Sequence, residues 1–333
     1  MSRYDLYGLG NALVDMEFSV DDSFLHDHGI AKGHMTLVDA PRIETLLDNL
    51  SELSPKRASG GSAANTLIAA QAFGSSTFYS CRVADDETGR YFVEDLAEVG
   101  VDTNIQQANG SDPSGRCLVL ITPDAERSMN TFLGISERLA PAEIDPKALR
   151  GSRCLYIEGY LSSSDTGRAA AVECRELAES EQVRTALTLS DPSMVEIFRD
   201  GLVEMLGNGV DHLFCNEEEA LTWAGTDRLD IATNELKDIG RALNITLGAR
   251  GCLAVEGGAA REVPGFESEA IDTNGAGDIY AGAVLHGWCA GMDSAAAASF
   301  GNFAAAHLVA RYGARLDSPS DYQALVTRFP GPQ

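Results

Sequence analysis

The string Ile271-Asp272-Thr273-Asn274-Gly275-Ala276-Gly277-Asp278 runs straight into the apolar segment Ile279–Cys289. Two glycines around a small residue let the backbone turn sharply and leave amide N–H groups uncovered. The helix behind them adds its positive end, so the turn suits an oxyanion such as a transferring phosphoryl group. The expected donors are the amides of Gly275, Ala276 and Gly277. Asp278 falls in the first helical turn, where its carboxylate can take a proton from an attacking hydroxyl. An acid there also favours a helix by charge alone, so the functional reading rests on the full eight-residue string.

Working outward, short apolar runs alternate with helical patterns. Strands are expected at Thr77–Val83, Cys154–Ile157, Thr185–Leu189, His212–Cys215 and Asn244–Leu247. Helices are expected at Ala63–Phe73, Gly89–Val99, Thr166–Glu179, Val195–Leu206, Glu217–Trp223, Asp278–Cys289 and Ser294–Arg311. Strands separated by helices predict βαβ units around a parallel sheet, an α/β fold. Two stretches break the alternation. The opening from Tyr4 to Asp39, with the runs Tyr4–Leu9, Leu13–Val20 and Met35–Val38, is one, and Asp102 to Leu133, with Cys117–Thr122 and Ser128–Leu133 around the turn pair Pro123-Asp124, is the other. These are assigned to a small sheet that could cover a cleft. The expected division is 1–10, 41–98 and 134–333 for the large unit, and 11–40 and 99–133 for the lid.

The chain has 333 residues, long enough for a core that needs no disulfide or metal support. With 25 Lys+Arg against 50 Asp+Glu the net charge is −25. That charge argues against nucleic acid and acidic membrane surfaces as partners. A small anion remains possible, because a helix N-terminus binds phosphate whatever the net charge. Seven scattered cysteines without a Cys-x-x-Cys pair, and no apolar run of spanning length, lead to the expectation of a reduced, cytoplasmic protein. His26-Asp27-His28 reads as a solvated turn better than as a metal site. No His-Glu-x-x-His, Walker A or Gly-x-Ser-x-Gly string occurs.

Two further strings carry chemistry. Ser59-Gly60-Gly61-Ser62-Ala63-Ala64-Asn65 opens a helix, either as a capped start or as a close backbone approach to a polar ligand beside Asn65. Gly8-Leu9-Gly10-Asn11-Ala12-Leu13-Val14-Asp15 presents Asn11 and Asp15 at a strand end, and Leu13 stands where a dinucleotide fingerprint needs its third glycine.

The Gly-Gly-x-x-x-Asn helix start followed late by Asp-Thr-x-Gly-Ala-Gly-Asp resembles the ribokinase-like (PfkB-type) carbohydrate kinases. The resemblance spans about Tyr4 to Arg311. Gly10-Asn11 with Asp15, and Arg127-Ser128-Met129, resemble the adenosine kinase-like members in particular. It implies a doubly wound, mostly parallel sheet flanked by helices, with a β-sheet lid. It implies ATP and Mg2+ as cofactors, with K+ as a further candidate. Asp278 becomes the base, and Asn11, Asp15, Gly60, Gly61 and Asn65 hold the acceptor. Asn216 and Glu219 help place magnesium and phosphates, while Thr246, Gly248 and Gly251 cradle the nucleotide. Asn302 falls where the family meets adenine, and Asp272 and Thr273 resemble part of a monovalent-cation loop. Arg127 matches an arginine that reaches the transferring phosphate, against the reading of a surface arginine on a lid strand. Arg116 departs from the pattern as a bulky cation near the lid.

The expected partner is a small nucleoside or sugar, for a monomer or homodimer. Adenosine comes first, a ribokinase- or fructokinase-type sugar second, and a non-catalytic nucleotide sensor third. Leu13, Met35, Leu37, Phe132 and Leu133 could wall a base or form the lid's own core.

Overall fold

The computed structural model describes residues 3–105, 112–124 and 126–332. Residues 106–111 and 125, within the second β-rich stretch expected from sequence, lie outside them. A nine-stranded sheet runs in the order Ala259–Pro264, Gly251–Glu256, Gly240–Thr246, Val210–Asn216, Arg184–Thr188, Ser152–Glu158, Tyr4–Leu9, Thr77–Ser80 and Asp102–Thr103. All its pairings are parallel except the two at the Ala259–Pro264 edge. The central strands are buried on both faces, which explains their continuous apolar runs.

Tyr4–Leu9 pairs with Thr77–Ser80 on one side and Ser152–Glu158 on the other. The strand order reverses at this point, and such a switch opens a crevice beyond the carboxyl ends of the strands. Asn11 and Glu158 stand at its mouth.

The second sheet has five strands in the order Met35–Leu37, Arg127–Phe132, Gly115–Ile121, Leu13–Ser19 and Lys56–Gly60. The expected hairpin forms, with Cys117 opposite Thr131 in an antiparallel pair. Two boundaries shift. Lys56–Gly60, assigned from sequence to the large unit within 41–98, pairs with Leu13–Ser19; its Lys-Arg-Ala-Ser-Gly composition carries no strand signal. Asp102–Thr103, assigned to the lid within 99–133, extends the large sheet beside Thr77–Ser80. The expected Val195–Leu206 helix is two, Pro192–Ile197 and Arg199–Leu206, broken at Phe198 with φ −115° and ψ 26°.

Strand register decides what the lid presents, because directly opposed residues share a face. Asp15, Cys117, Thr131 and Leu37 form one row, and Glu17, Val119, Met129 and Met35 the next. Arg116 opposes Val14 and Phe132 and so lies on the other face, where it pairs with Glu44 at 2.5 Å. The bulky cation therefore does not enter the cleft. Phe132 leaves the expected apolar wall for the same reason.

Helices Ser62–Phe73 and Ala276–Cys289 cross beneath the crevice and are buried on nearly all sides. Gly282 makes the crossing close: a Cβ there would stand 2.6 Å from the Thr66 carbonyl oxygen. We expect Gly282→Val to push the helices apart and lower unfolding free energy by about 1–3 kcal/mol, the usual cost of overpacking. Urea denaturation checks it, and stability equal to wild type would contradict the close crossing.

Candidate active site

Gly275 has φ +72°, and a Cβ on it would lie 2.3 Å from the Ala314 carbonyl oxygen, so only glycine fits. The following helix starts at Ala276. The Ala276 amide donates to the Thr273 carbonyl at 3.2 Å, which withdraws it from the expected trio of anion donors. Among the described residues the Gly275 and Gly277 amides have no acceptor. Gly277 borders open space, leaving the turn accessible.

Asp278 follows, half-buried, its carboxylate accepting from Ser62 Oγ at 2.7 Å and from Asn65 Nδ2 at 3.1 Å. Burial pushes its pKa up to about 6, with the two hydrogen bonds opposing. The group is thus still ionised at neutral pH yet more basic than an ordinary aspartate, as a general base should be. Ser62 was read from sequence only as part of a helix start; its placement at the head of the helix after Gly60-Gly61 is the signal that could have marked it.

The acceptor side is built by the Gly-Gly turn. Gly61 has φ +97° and presses against the Asn11 carbonyl, and a Cβ on Gly60 would lie 2.4 Å from the Asp15 carboxylate. Absence of side chains therefore lets Asp15 lie over the backbone of the turn. Burial pushes the Asp15 pKa up to about 7, Arg315 and Arg127 opposing and Glu17 and Asp278 adding. Asn65 Oδ1 is buried without a hydrogen-bond partner, an acceptor ready for a ligand hydroxyl. Asp15, Asn65 and Arg315 line one cavity of about 340 Å³.

Asn11 differs from its expected role. Its backbone N–H and Nδ2 both donate to Glu158 Oε1, at 2.6 and 2.7 Å, and its Oδ1 accepts from Ser136 Oγ at 3.2 Å. These bonds engage both ends of the side chain, so Asn11 shapes the strand end, with one N–H and one lone pair of its amide left over. Glu158, which sequence reading missed, also accepts from the Ala63 amide at 2.9 Å. Burial pushes its pKa up to about 7. Its only sequence signal is an acid closing the otherwise apolar strand Cys154–Ile157.

Arg127 is no surface arginine. It is nine-tenths buried, with Nη1 3.0 Å from Glu17 and Nε 2.9 Å from Asp272, the latter an ion pair without hydrogen-bond alignment, and neither Nε nor Nη2 has a hydrogen-bond partner. Asp272 also accepts from the Gly313 amide at 2.7 Å and the Asn274 amide at 3.0 Å. Its charge is thus met by a guanidinium where a monovalent cation was expected, and Thr273 is exposed. Among the described residues no group of three or more His, Cys, Asp or Glu is arranged to hold a metal.

Asn216 caps the helix Glu217–Ala224, accepting from the Glu219 amide at 2.8 Å while its Nδ2 donates to Glu219 Oε1 at 2.6 Å. This reciprocal box is the structural role of that spacing. Glu219 is nevertheless buried, and burial beside Asp191 pushes its pKa up to about 8. Thr246 ends its strand, Gly248 (φ +60°) opens the following turn, and Gly251 (φ +97°) closes it against Val263. Asn302 donates through Nδ2 to the Val263 and Pro264 carbonyls, both at 3.0 Å, which fixes the edge strand and occupies its donor.

A phosphoryl-receptive turn, a basic aspartate and a polar acceptor loop, joined at the switch point of a doubly wound sheet, define a phosphotransferase with an alcohol acceptor. The pfkB family carbohydrate kinase pattern matches residues 44–321, and the chain belongs to that family. It is 26% identical over 320 residues to the adenosine kinase of Schizophyllum commune, covering 88% of this chain and 91% of that one. The adenosine kinase structure from Sinorhizobium meliloti superposes with a TM-score of 0.89 at 33% identity, covering 98% and 99% of the two chains. A probable sugar kinase from Rhizobium etli CFN 42 gives 0.90 at 30%, with the same coverage. The chain is a kinase of the nucleoside and sugar class, with the ribokinase-like fold. No helix among the described residues is long and apolar enough to cross a membrane.

The raised carboxylates make stability depend on pH. Above about pH 6.5 the unfolded carboxylates are ionised, whereas Asp15, Glu158 and Glu219 still hold protons in the native state. His212, pushed down to about 4 by burial, is neutral in the native state while its unfolded imidazole is partly protonated near pH 6.5, a smaller term of opposite sign that three raised carboxylates outweigh. The native state then binds more protons, so its stability falls as pH rises through these values. We expect the ligand-free protein to lose on the order of 2–3 kcal/mol between about pH 6.5 and about pH 8, and Glu219→Gln to flatten the slope. Urea titrations at both pH values measure this; a wild-type stability that rises would contradict it.

Proposed function

We propose that this kinase transfers the γ-phosphoryl group of ATP to a primary hydroxyl of a nucleoside, adenosine first. The observation that carries the reading is the arrangement around Asp278: a base at the head of the helix, facing the Gly275–Gly277 turn on one side and Asn65 on the other. Phosphoryl transfer asks the protein for alignment and charge neutralisation more than for covalent chemistry. Gly275 and Gly277 supply amides for the anion, and the buried Arg127 guanidinium beside Asp272 adds positive charge to that side of the site. The acceptor hydroxyl would donate to Asp278, while Asn65 Oδ1 and the Asp15 carboxylate accept from ribose hydroxyls.

Magnesium fits Glu219 in one respect: a buried carboxylate with no salt bridge among the described residues gains from a divalent cation. Glu219 with Asn216 would hold it, other positions being filled by water and phosphate oxygens, and the ion would neutralise charge on the phosphates. Potassium has weaker support, because Arg127 already meets Asp272.

Nucleoside preference is supported by the lid. Leu13, Met35 and Leu37 lie on the face that carries Asp15, and Met35 and Leu37 are 36% and 51% exposed, so neither closes a core of its own. Such side chains suit the planar base of a nucleoside, for which a free sugar has no counterpart. We therefore expect kcat/KM to be highest for adenosine, lower for 2′-deoxyadenosine, and lowest for ribose and fructose. Loss of one hydroxyl leaves Asp15 underpaired, at about 1–3 kcal/mol. An ADP-release assay over these four acceptors tests it; faster turnover of either free sugar would replace the nucleoside with a sugar. Asp278→Asn should lower kcat about 10²–10⁴-fold with nucleotide affinity retained. Retention of a tenth of wild-type kcat would place the base elsewhere.

A further inference from the structure

Residues 313–315 touch three different parts of the site in succession. The Gly313 amide donates to Asp272, at the start of the phosphoryl-binding string, at 2.7 Å. The Ala314 carbonyl occupies the space a side chain on Gly275 would need. Arg315 then turns to the acceptor side, with Nη2 3.0 Å from Asp95 Oδ2 and Nη1 3.2 Å from Ser59 Oγ. Asp95 also receives the Ser59 amide at 3.0 Å and the Ser59 hydroxyl. Ser59 leads directly into Gly60 and Gly61. The pair is well enclosed, the Arg315 and Asp95 side chains being 15% and 19% exposed, so solvent screens it little.

We infer that Arg315 is a positioning residue that sets the spacing between the phosphoryl-binding turn and the acceptor loop. It acts through Ser59 and Asp95, and not as a ligand of either reactant. Planarity matters here. The two terminal nitrogens reach two partners at once in a fixed fork, which a lysine ammonium cannot reproduce. Without the fork the Gly313–Ala314 segment would still hold the phosphoryl turn, and Ser62 and Asn65 would still meet Asp278, but Ser59 and the glycines after it would lose their tie to residues 313–315. Reacting atoms would then be held less well in line, and misplacement by about 1 Å can cost about 10²-fold in rate. The charge of Arg315 is also the leading attraction on the Asp15 carboxylate across the shared cavity.

This inference rests on the phosphoryl-transfer reading of Asp278, and its test separates the two. Arg315→Met and Arg315→Lys are compared with wild type for acceptor phosphorylation and ADP release. For Arg315→Met we expect kcat to fall about 10- to 100-fold while the nucleotide KM changes less than about threefold. ADP released per acceptor phosphorylated should rise above one, because water competes when the acceptor is misaligned; Arg315→Lys should fall between. A brace that serves only stability would lower the melting temperature and leave that ratio at one with kcat within about threefold, which overturns the inference. If Arg315→Met does not fold, the ratio in Arg315→Lys decides by the same criterion. Amide hydrogen exchange gives a readout independent of catalysis. In the variants it should accelerate at residues 59–62 and leave Ser152–Glu158 unchanged; equal exchange at 59–62 overturns the inference. Absence of turnover in the wild type bears on the kinase reading alone, and the exchange result then decides for Arg315.

Discussion

One buried carboxylate ties together the parts on which the crevice depends. Glu158 ends a central strand and gathers the backbone and side-chain donors of Asn11 with the Ala63 amide. Those groups belong to the end of the neighbouring strand, the entrance to the lid and the head of the helix that carries Ser62 and Asn65. A buried acceptor of three donors in one place is costly to leave unmade, so the three segments cannot drift independently. The geometry around Asp278 follows, because both of its hydrogen-bond donors sit on that helix.

The cleft is crowded with acids in a chain already at −25. Asp15, Glu158, Glu219 and Asp278 all have pKa values raised by burial. Such a site is stabilised by whatever cations and hydrogen-bond donors arrive with its ligands. Arg127 and Arg315 are among the cations the chain itself contributes, and both are held in ion pairs: Arg127 with Glu17 of the lid and Asp272, Arg315 with Asp95.

Much of the site was legible in the residue string. Gly275, Gly277, Asp278, Gly60, Gly61, Asn65 and Asp15 fall together as their motifs implied, since each motif sits at a strand end or helix head that local patterning marks. Asn11, Ala276 and Asn302, expected to meet a ligand, also bond within the protein, because a side chain or amide that could serve a ligand can equally serve the protein. Only the positions of Glu158, Thr273 and Val263 with Pro264 showed which partner it has. Asn216 and Glu219 illustrate the overlap, since a capping box and a metal-placing pair share one spacing.

The sequence by itself determined the alternation of strands and helices and the glycine turns, and it marked Asp278 as the proposed base, because these rest on periodicity and on local backbone needs. Tertiary structure alone decided that Lys56–Gly60 joins the lid, that Arg116 and Phe132 turn away from the cleft, and that Arg127 and Arg315 are braced by acids distant in sequence. Register, strand pairing and long-range ion pairs depend on which segments meet in space. A one-residue change of register inverts every side chain on a strand, and nothing local to the strand fixes that choice.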